Sequence, residues 1–256
     1  MLSHFNTSSM VTLLFLLLVA GIFTWMLIGF RRVLVRTGWK PERQLAVFFR
    51  ALAALAAWAM ILAGLALAGF FANFAALPPR IPLSMVVPLV VMAVLVFSRG
   101  GTTLLQVMPP HWPLYAQTIR IGVELVILVA VLNRLMPIQL SIEGRNFDIV
   151  TGLLAVPVGY YVFVVRRWPR WVAVVYHLMG MGLLVNVLAL SFLSMPTPMR
   201  VFFNEPANTL ITQFPFIYLP GMLVPLAFSL HIVSLRQMAV LRRGGYWKVA
   251  PPSILR

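Results

Sequence analysis

Apolar positions in this chain come in long, nearly uncharged blocks rather than in the alternation of a strand or the one-sided stripe of a soluble helix. Runs of about 17 to 25 apolar residues are what a chain needs to cross a bilayer as helix, because hydrocarbon offers no partner to a backbone N–H or C=O. Seven runs stand out, at about Met10 to Phe30, Ala51 to Phe71, Pro82 to Ser98, Leu114 to Leu135, Phe147 to Val165, Val172 to Leu193 and Phe214 to Leu235. The pattern predicts an all-α, polytopic bundle of seven transmembrane helices, a single domain over residues 1–256. Gly100 and Gly101 leave the end of the third run open.

The loops between the runs alternate in charge, and cytoplasmic loops carry the Lys/Arg excess. Sixteen of the twenty Lys and Arg fall in one set of loops or beside it. These are Arg31, Arg32, Arg36, Lys40, Arg43 and Arg50, then Arg99 and Arg120, then Arg166, Arg167 and Arg170, and finally Arg236, Arg242, Arg243, Lys248 and Arg256. The other set holds only Arg80, Arg134, Arg145 and Arg200, with the acids Glu143, Asp148 and Glu205 in or beside it. The asymmetry predicts an N-terminus outside and a C-terminus in the cytoplasm. Met1 to Ser9 carries no Lys or Arg, while Arg31, Arg32 and Arg36 follow the first run, the pattern of an anchor that exports its N-terminus rather than of a cleaved signal peptide.

Composition agrees with a bilayer as solvent: 61% of residues are hydrophobic and 10% charged. The net charge of +15 raises nucleic acid as a partner, but the basic residues flank apolar spans, where they set topology and meet anionic lipid head groups at the cytoplasmic face. No nucleic-acid partner is expected. The chain has no cysteine, which excludes disulfides and thiolate metal sites.

Polar residues inside spans mark function, since a charge at mid-bilayer costs about 2.5 to 3.5 kcal/mol on the insertion scale. Glu124 lies inside the fourth run, and Gln117 and Arg120, seven and four residues before it, share its helical face. A structural reading pairs Arg120 with Glu124 at i,i+4. The functional readings make Glu124 a protonatable carboxylate in a transport path, or a metal ligand. His177 in the sixth run and His231 in the seventh sit at similar depth from the cytoplasmic side. With Glu124 they compose a divalent-metal ligand set of two imidazoles and a carboxylate, though without an HExxH spacing. Alternatives are a haem held between the two histidines and hydrogen bonding across helices. Asn186, nine residues from His177, falls on the opposite face.

Pro215, Pro220 and Pro225, with Gly221, interrupt the seventh run, freeing carbonyls that can bind a ligand or allow a hinge. Gln213 and His231, eighteen residues apart, return to one face of a straight helix and so point to a common seam. Met108-Pro-Pro-His-Trp-Pro113 reads as a turn at the lipid surface with Trp112 as interfacial anchor. At the outer surface, Arg145, Asp148, Glu205, Asn208 and Gln213 are candidates for a ligand-binding mouth. Their bland alternative is loop order, with Asn146 or Asp148 capping the fifth helix and Asn208 and Thr209 ordering the segment before the seventh.

Gly144-Arg-Asn-Phe-Asp148 and Asn204-Glu-Pro-Ala-Asn-Thr209, followed by Phe214-Pro-Phe, Leu223-Val-Pro-Leu226 and His231, resemble a group of uncharacterised bacterial seven-helix membrane proteins. The resemblance covers mainly the last 120 residues. It implies a bacterial inner membrane and no particular activity. Seven spans also invite comparison with rhodopsins, but the only lysines are Lys40 and Lys248, both in cytoplasmic segments, so a retinal Schiff base in the seventh span is excluded. Three classes of function remain. They are a small-solute transporter or ligand-sensing bundle, a metal-dependent intramembrane hydrolase using Glu124, His177 and His231, and an accessory subunit of a membrane complex with an unidentified protein partner.

Overall fold

A computed structural model of the chain describes residues 7–76 and 79–243. Among these residues the chain is helical, with no strand. Lys248 and Arg256, and most of the lysine-free segment Met1 to Ser9, lie outside the described residues.

The helices are α1 (Thr7–Arg36), α2 (Pro41–Leu67), α3 (Ile81–Phe97), α4 (Arg99–Val107), α5 (Trp112–Tyr115), α6 (Ile119–Leu132), α7 (Ile149–Gly159), α8 (Arg170–Leu193) and α9 (Val224–Arg243). Five stretches are long and apolar enough to cross a membrane: Ser8–Arg36, Pro41–Leu67, Trp112–Leu132, Arg170–Leu193 and Leu219–Arg242. Taking α3 and α4, bent by 75° at Ser98, as one broken span gives a sixth. The fifth predicted run forms a shorter apolar helix, Ile149–Val164.

The helices outrun the hydropathy blocks because hydropathy marks the bilayer and backbone hydrogen bonding does not stop there. α1 continues to Arg36 and α2 starts at Pro41, so most of the predicted Arg31–Arg50 loop is helix. The turn between them needs little chain. Gly38 adopts φ 68°, and Thr37 Oγ1 donates to the Leu34 carbonyl while accepting from the Trp39 N–H. Likewise the predicted loop from Gly100 begins as α4. Ser98 caps it by accepting from the Gly101 N–H at 3.0 Å, and a Cβ on Gly101 would run into the Leu95 carbonyl oxygen. The bend therefore depends on that glycine.

The helix of the last predicted run begins later than expected, at a π-turn over Leu219–Leu223. Pro215, Pro220 and Pro225 lack the N–H that a regular helix would need there. Pro225 cannot serve the Gly221 carbonyl four residues back; Trp58 Nε1 of α2 donates to that oxygen instead, at 2.9 Å. A second π-turn, Tyr160–Val164, follows Pro157 in α7.

The core is mainly apolar, as in a water-soluble protein, but the surface is apolar too and a polar seam runs inside. Leu13, Leu17, Met60, Leu67, Val90 and Val94 are exposed, while Gln117, Arg120, Glu124, His177, His231 and Gln237 are buried. An apolar surface around a polar seam suits a lipid solvent. α9 runs through the centre, against α3, α4, α5 and α8, while α6 packs between α1 and α7.

Candidate functional site

The polar seam is assembled from α6, α8 and α9. Gln117, just before α6, donates Nε2 to the Ala227 carbonyl of α9 at 3.1 Å. One turn further, the Arg120 guanidinium, 3% exposed, makes contacts in three directions. Its Nη1 lies 3.0 Å from Asp148 Oδ1 and donates to the Gly180 carbonyl of α8 at 3.3 Å. Its Nη2 lies 3.1 Å from Nε2 of His231. The Nδ1 atoms of His231 and His177 are then 2.8 Å apart.

Glycine makes this crossing possible. A Cβ on Gly180 would fall 2.5 Å from His231 Cε1, so α8 and α9 approach closely only because residue 180 has no side chain. Tyr176 completes the cluster. Its ring lies 5.2 Å from His177 and 6.0 Å from His231, and its hydroxyl donates to the Thr151 carbonyl at 3.0 Å.

Glu124 takes other partners. Oε1 accepts from the Ile142 N–H at 2.6 Å and Oε2 from the Asn146 side-chain amide at 2.8 Å. The expected i,i+4 pair is therefore replaced: Arg120 pairs with Asp148 across elements, and Glu124 anchors the loop that carries Asn146. Asn146 also donates to the Leu140 carbonyl and accepts from the Asp148 N–H. It orders the start of α7, where Asp148 stands at the N-cap without a side-chain capping bond.

Arg120, Glu124, Asn146 and Asp148, with Ser191, form the polar wall of a cavity of about 70 Å³. Ile127, Leu184, Ile211 and Val224 belong to its apolar wall. One water needs roughly 10 to 15 Å³ of such space, so the volume suits a few waters or a small solute.

The structure thus brings Gln117, Arg120, His177 and His231 into one seam, with Glu124 and Asp148 beside it. It does not join Glu124 to the two histidines. Among the described residues no group of three His, Asp or Glu has the placement to hold a metal ion. The ring nitrogens that face each other are hydrogen-bonded to one another. Gln213 departs from expectation: it lies before the π-turn with extended backbone and an exposed side chain, because the proline-rich segment is not the straight helix that would return it to the His231 face.

The predicted outer mouth also separates. Asp148 turns inward to Arg120. Arg145 lies over the Phe202 ring, 5.4 Å from its centroid, and its carbonyl accepts from Asn186. Glu205 pairs with Arg200 at 3.0 Å, and that bond, with the Ala207 N–H, holds its carboxyl below the usual range. Asn208, fully buried, donates to the Ser191 carbonyl and hydroxyl. These contacts order the loops.

Sequence reasoning missed Asn146 as the Glu124 partner, Gly180 as the contact point of α8 and α9, and Gln237, which donates to the Leu105 and Met108 carbonyls. Gln237 was legible in principle: with His231 and Ser234 it repeats on one face of α9 at spacings of three. Comparison with protein-family models, curated proteins and solved structures found no match.

Proposed function

We propose that this protein is a membrane bundle that binds a small solute, as a transporter or ligand sensor, in the cavity beside Glu124 and the Arg120–Asp148 pair. The observation that carries this reading is a guanidinium and a carboxyl group one turn apart on α6, met by a second carboxyl group from the start of α7, all on one small hollow. Stability alone is a poor account of them, because replacing a buried ion pair with apolar residues of similar volume is often neutral or stabilising. Two carboxyl groups against one guanidinium favour a small cation or amine as the solute.

The topology in this reading has seven crossings, counting Ile149–Val164 as a short span and the bent α3–α4 pair as one. The N-terminus is outside and the C-terminus cytoplasmic, following the loop charges. The resemblance of the outer segments supports a bacterial inner membrane. We assign no metal chemistry to the seam, since Glu124 faces Ile142 and Asn146 rather than the histidines.

An accessory role is the second reading. It is favoured by α2, whose buried residues are only Leu62 and Ala66, leaving a long apolar face for lipid or a partner. Thermal unfolding of the purified protein against a panel of small cations, amines, amino acids and sugars separates the two. A ligand bound only by the folded form stabilises it by about 2.7 kcal/mol at a hundred times its Kd. A panel without effect, with a stoichiometric co-purifying protein, would favour the accessory role.

A further inference from the structure

Glu124 is a carboxyl group of 2% exposure that, among the described residues, is paired with no cation. The Arg120 guanidinium one turn back pairs with Asp148 instead. Glu124 accepts only from two neutral donors, the Ile142 N–H at 2.6 Å and Asn146 Nδ2 at 2.8 Å. Neither donor can accept a proton from it. The Asn146 amide is held in this orientation, because its Nδ2 also donates to the Leu140 carbonyl and its Oδ1 accepts from the Asp148 N–H. Turning its oxygen toward Glu124 would lose both bonds. A carboxylate has roughly four lone-pair sites, so the ones left over serve whatever occupies the hollow that Glu124 lines.

With Arg120 and Asp148 cancelling, an ionised Glu124 leaves one negative charge that no side chain balances. A buried carboxylate without a counter-charge is costly and takes up a proton instead. The surroundings offer no other group for this role. Arg120 and Asp148 are the only other charged groups among the described residues lining the hollow. α8 brings Leu184 and Ser191 to it and the π-turn brings Leu219, while α1 meets α6 through Leu18 beside Gly122. Glu143 and Arg145, on the segment before α7, are exposed and do not line it. His231 and His177 lie beyond Arg120 and do not line it either.

Resting on the reading of this cavity as a cation site, we propose that a proton and the solute cation occupy Glu124 in turn. The empty site holds the proton at neutral pH, and a cation that binds releases it. The O–H bond of Glu124 breaks, its electron pair stays on the carboxylate to meet the cation, and the proton leaves to water. One charge replaces one charge, so in a transporter the exchange is electroneutral.

The test titrates full-length protein, in detergent and weak buffer, with sodium, potassium and tetramethylammonium chlorides. N-methylglucamine chloride holds the ionic strength constant. The unfolding midpoint reports binding, and a pH indicator counts the protons released. At mildly acidic pH a cation that binds should release about one proton. Its apparent Kd should rise about tenfold for each unit of pH on the acidic side and level off on the alkaline side, as competition for one site requires. Glu124→Gln has no proton to lose and shows neither effect, while Glu205→Gln, altered at an exposed carboxyl outside the cavity, behaves as the wild type. The wild-type proton count and pH profile decide the matter even if Glu124→Gln does not fold. A cation that stabilises the wild type equally across this range, with no proton released, overturns the coupling and leaves the cation site standing. Three salts without effect at any pH remove the cation site, and the coupling with it.

Discussion

Arg120 Nη2 stands 3.1 Å from His231 Nε2, and because a guanidinium has only donors, the imidazole accepts there. His231 therefore carries its proton on Nδ1 and donates it to His177 Nδ1, 2.8 Å away. His177 must then hold its own proton on Nε2, a buried atom to which no described protein group is bonded. The chain has a direction, from guanidinium through one neutral ring to the next. Its members should act as a unit. His177→Ala and His231→Ala are each expected to destabilise the protein, and their double-mutant cycle to show a coupling of about 0.5 to 3 kcal/mol. Denaturant unfolding in detergent measures it, and additive effects would break the chain as described.

The Arg120–Asp148 pair separates stability from function. Arg120→Met leaves Asp148 without its cation, and Asp148→Asn leaves the guanidinium without its anion. Because the Asp148 side chain retains 15% exposure, each loss is expected at the low end of the roughly 3 to 5 kcal/mol for breaking a buried pair. Arg120→Met combined with Asp148→Leu should recover most of that stability, short of the bonds from Arg120 to Gly180 and His231. It should not recover solute binding. Unfolding midpoints of the three variants check the first statement.

Gly180→Ala adds one methyl group at the crossing of α8 and α9. His231 Cε1 and Nε2 would lie 2.5 and 2.7 Å from the new Cβ, so the ring must move away from Arg120 or the helices must part. Overpacking of this kind costs about 1 to 3 kcal/mol. A neighbouring control exists in Gly182, around whose Cβ position nothing lies within 4 Å. Gly182→Ala should be neutral or slightly stabilising, and equal losses at the two positions would contradict the packing described.

The loop that holds Arg200 and Glu205 should loosen in acid. Arg200 holds the Glu205 carboxyl below its usual pKa, so this contact contributes above the ordinary carboxylate pKa and is lost as pH falls through the lowered folded value. Glu205 is exposed, so the contribution is small and screened by salt. The protection of the amides across residues 200–208 against hydrogen exchange, relative to the intrinsic rate at each pH, should fall at low pH in the wild type. In Glu205→Gln that protection should already be low at neutral pH.

The helical blocks and the inward face of Gln117, Arg120 and Glu124 were legible because burial of polar groups in an apolar chain follows helical period. The meeting of His177 and His231 was legible from equal depth on consecutive spans. The partner of Arg120 was not. Sequence spacing offers only neighbours along one helix, whereas Asp148 arrives from a loop whose path is set by Asn146 and Glu124. Nor was the start of the last span, because three prolines say where a regular helix fails without saying which groups, such as the Trp58 indole, take up the freed carbonyls.

The central claim is that the cavity beside Glu124 receives a solute. Its most direct test is the unfolding temperature of the wild type and of Glu124→Gln, measured across the same panel of small cations, amines, amino acids and sugars. The account predicts at least one compound that raises the wild-type midpoint by several degrees and leaves Glu124→Gln unmoved. A panel that shifts neither protein, or both alike, would contradict it.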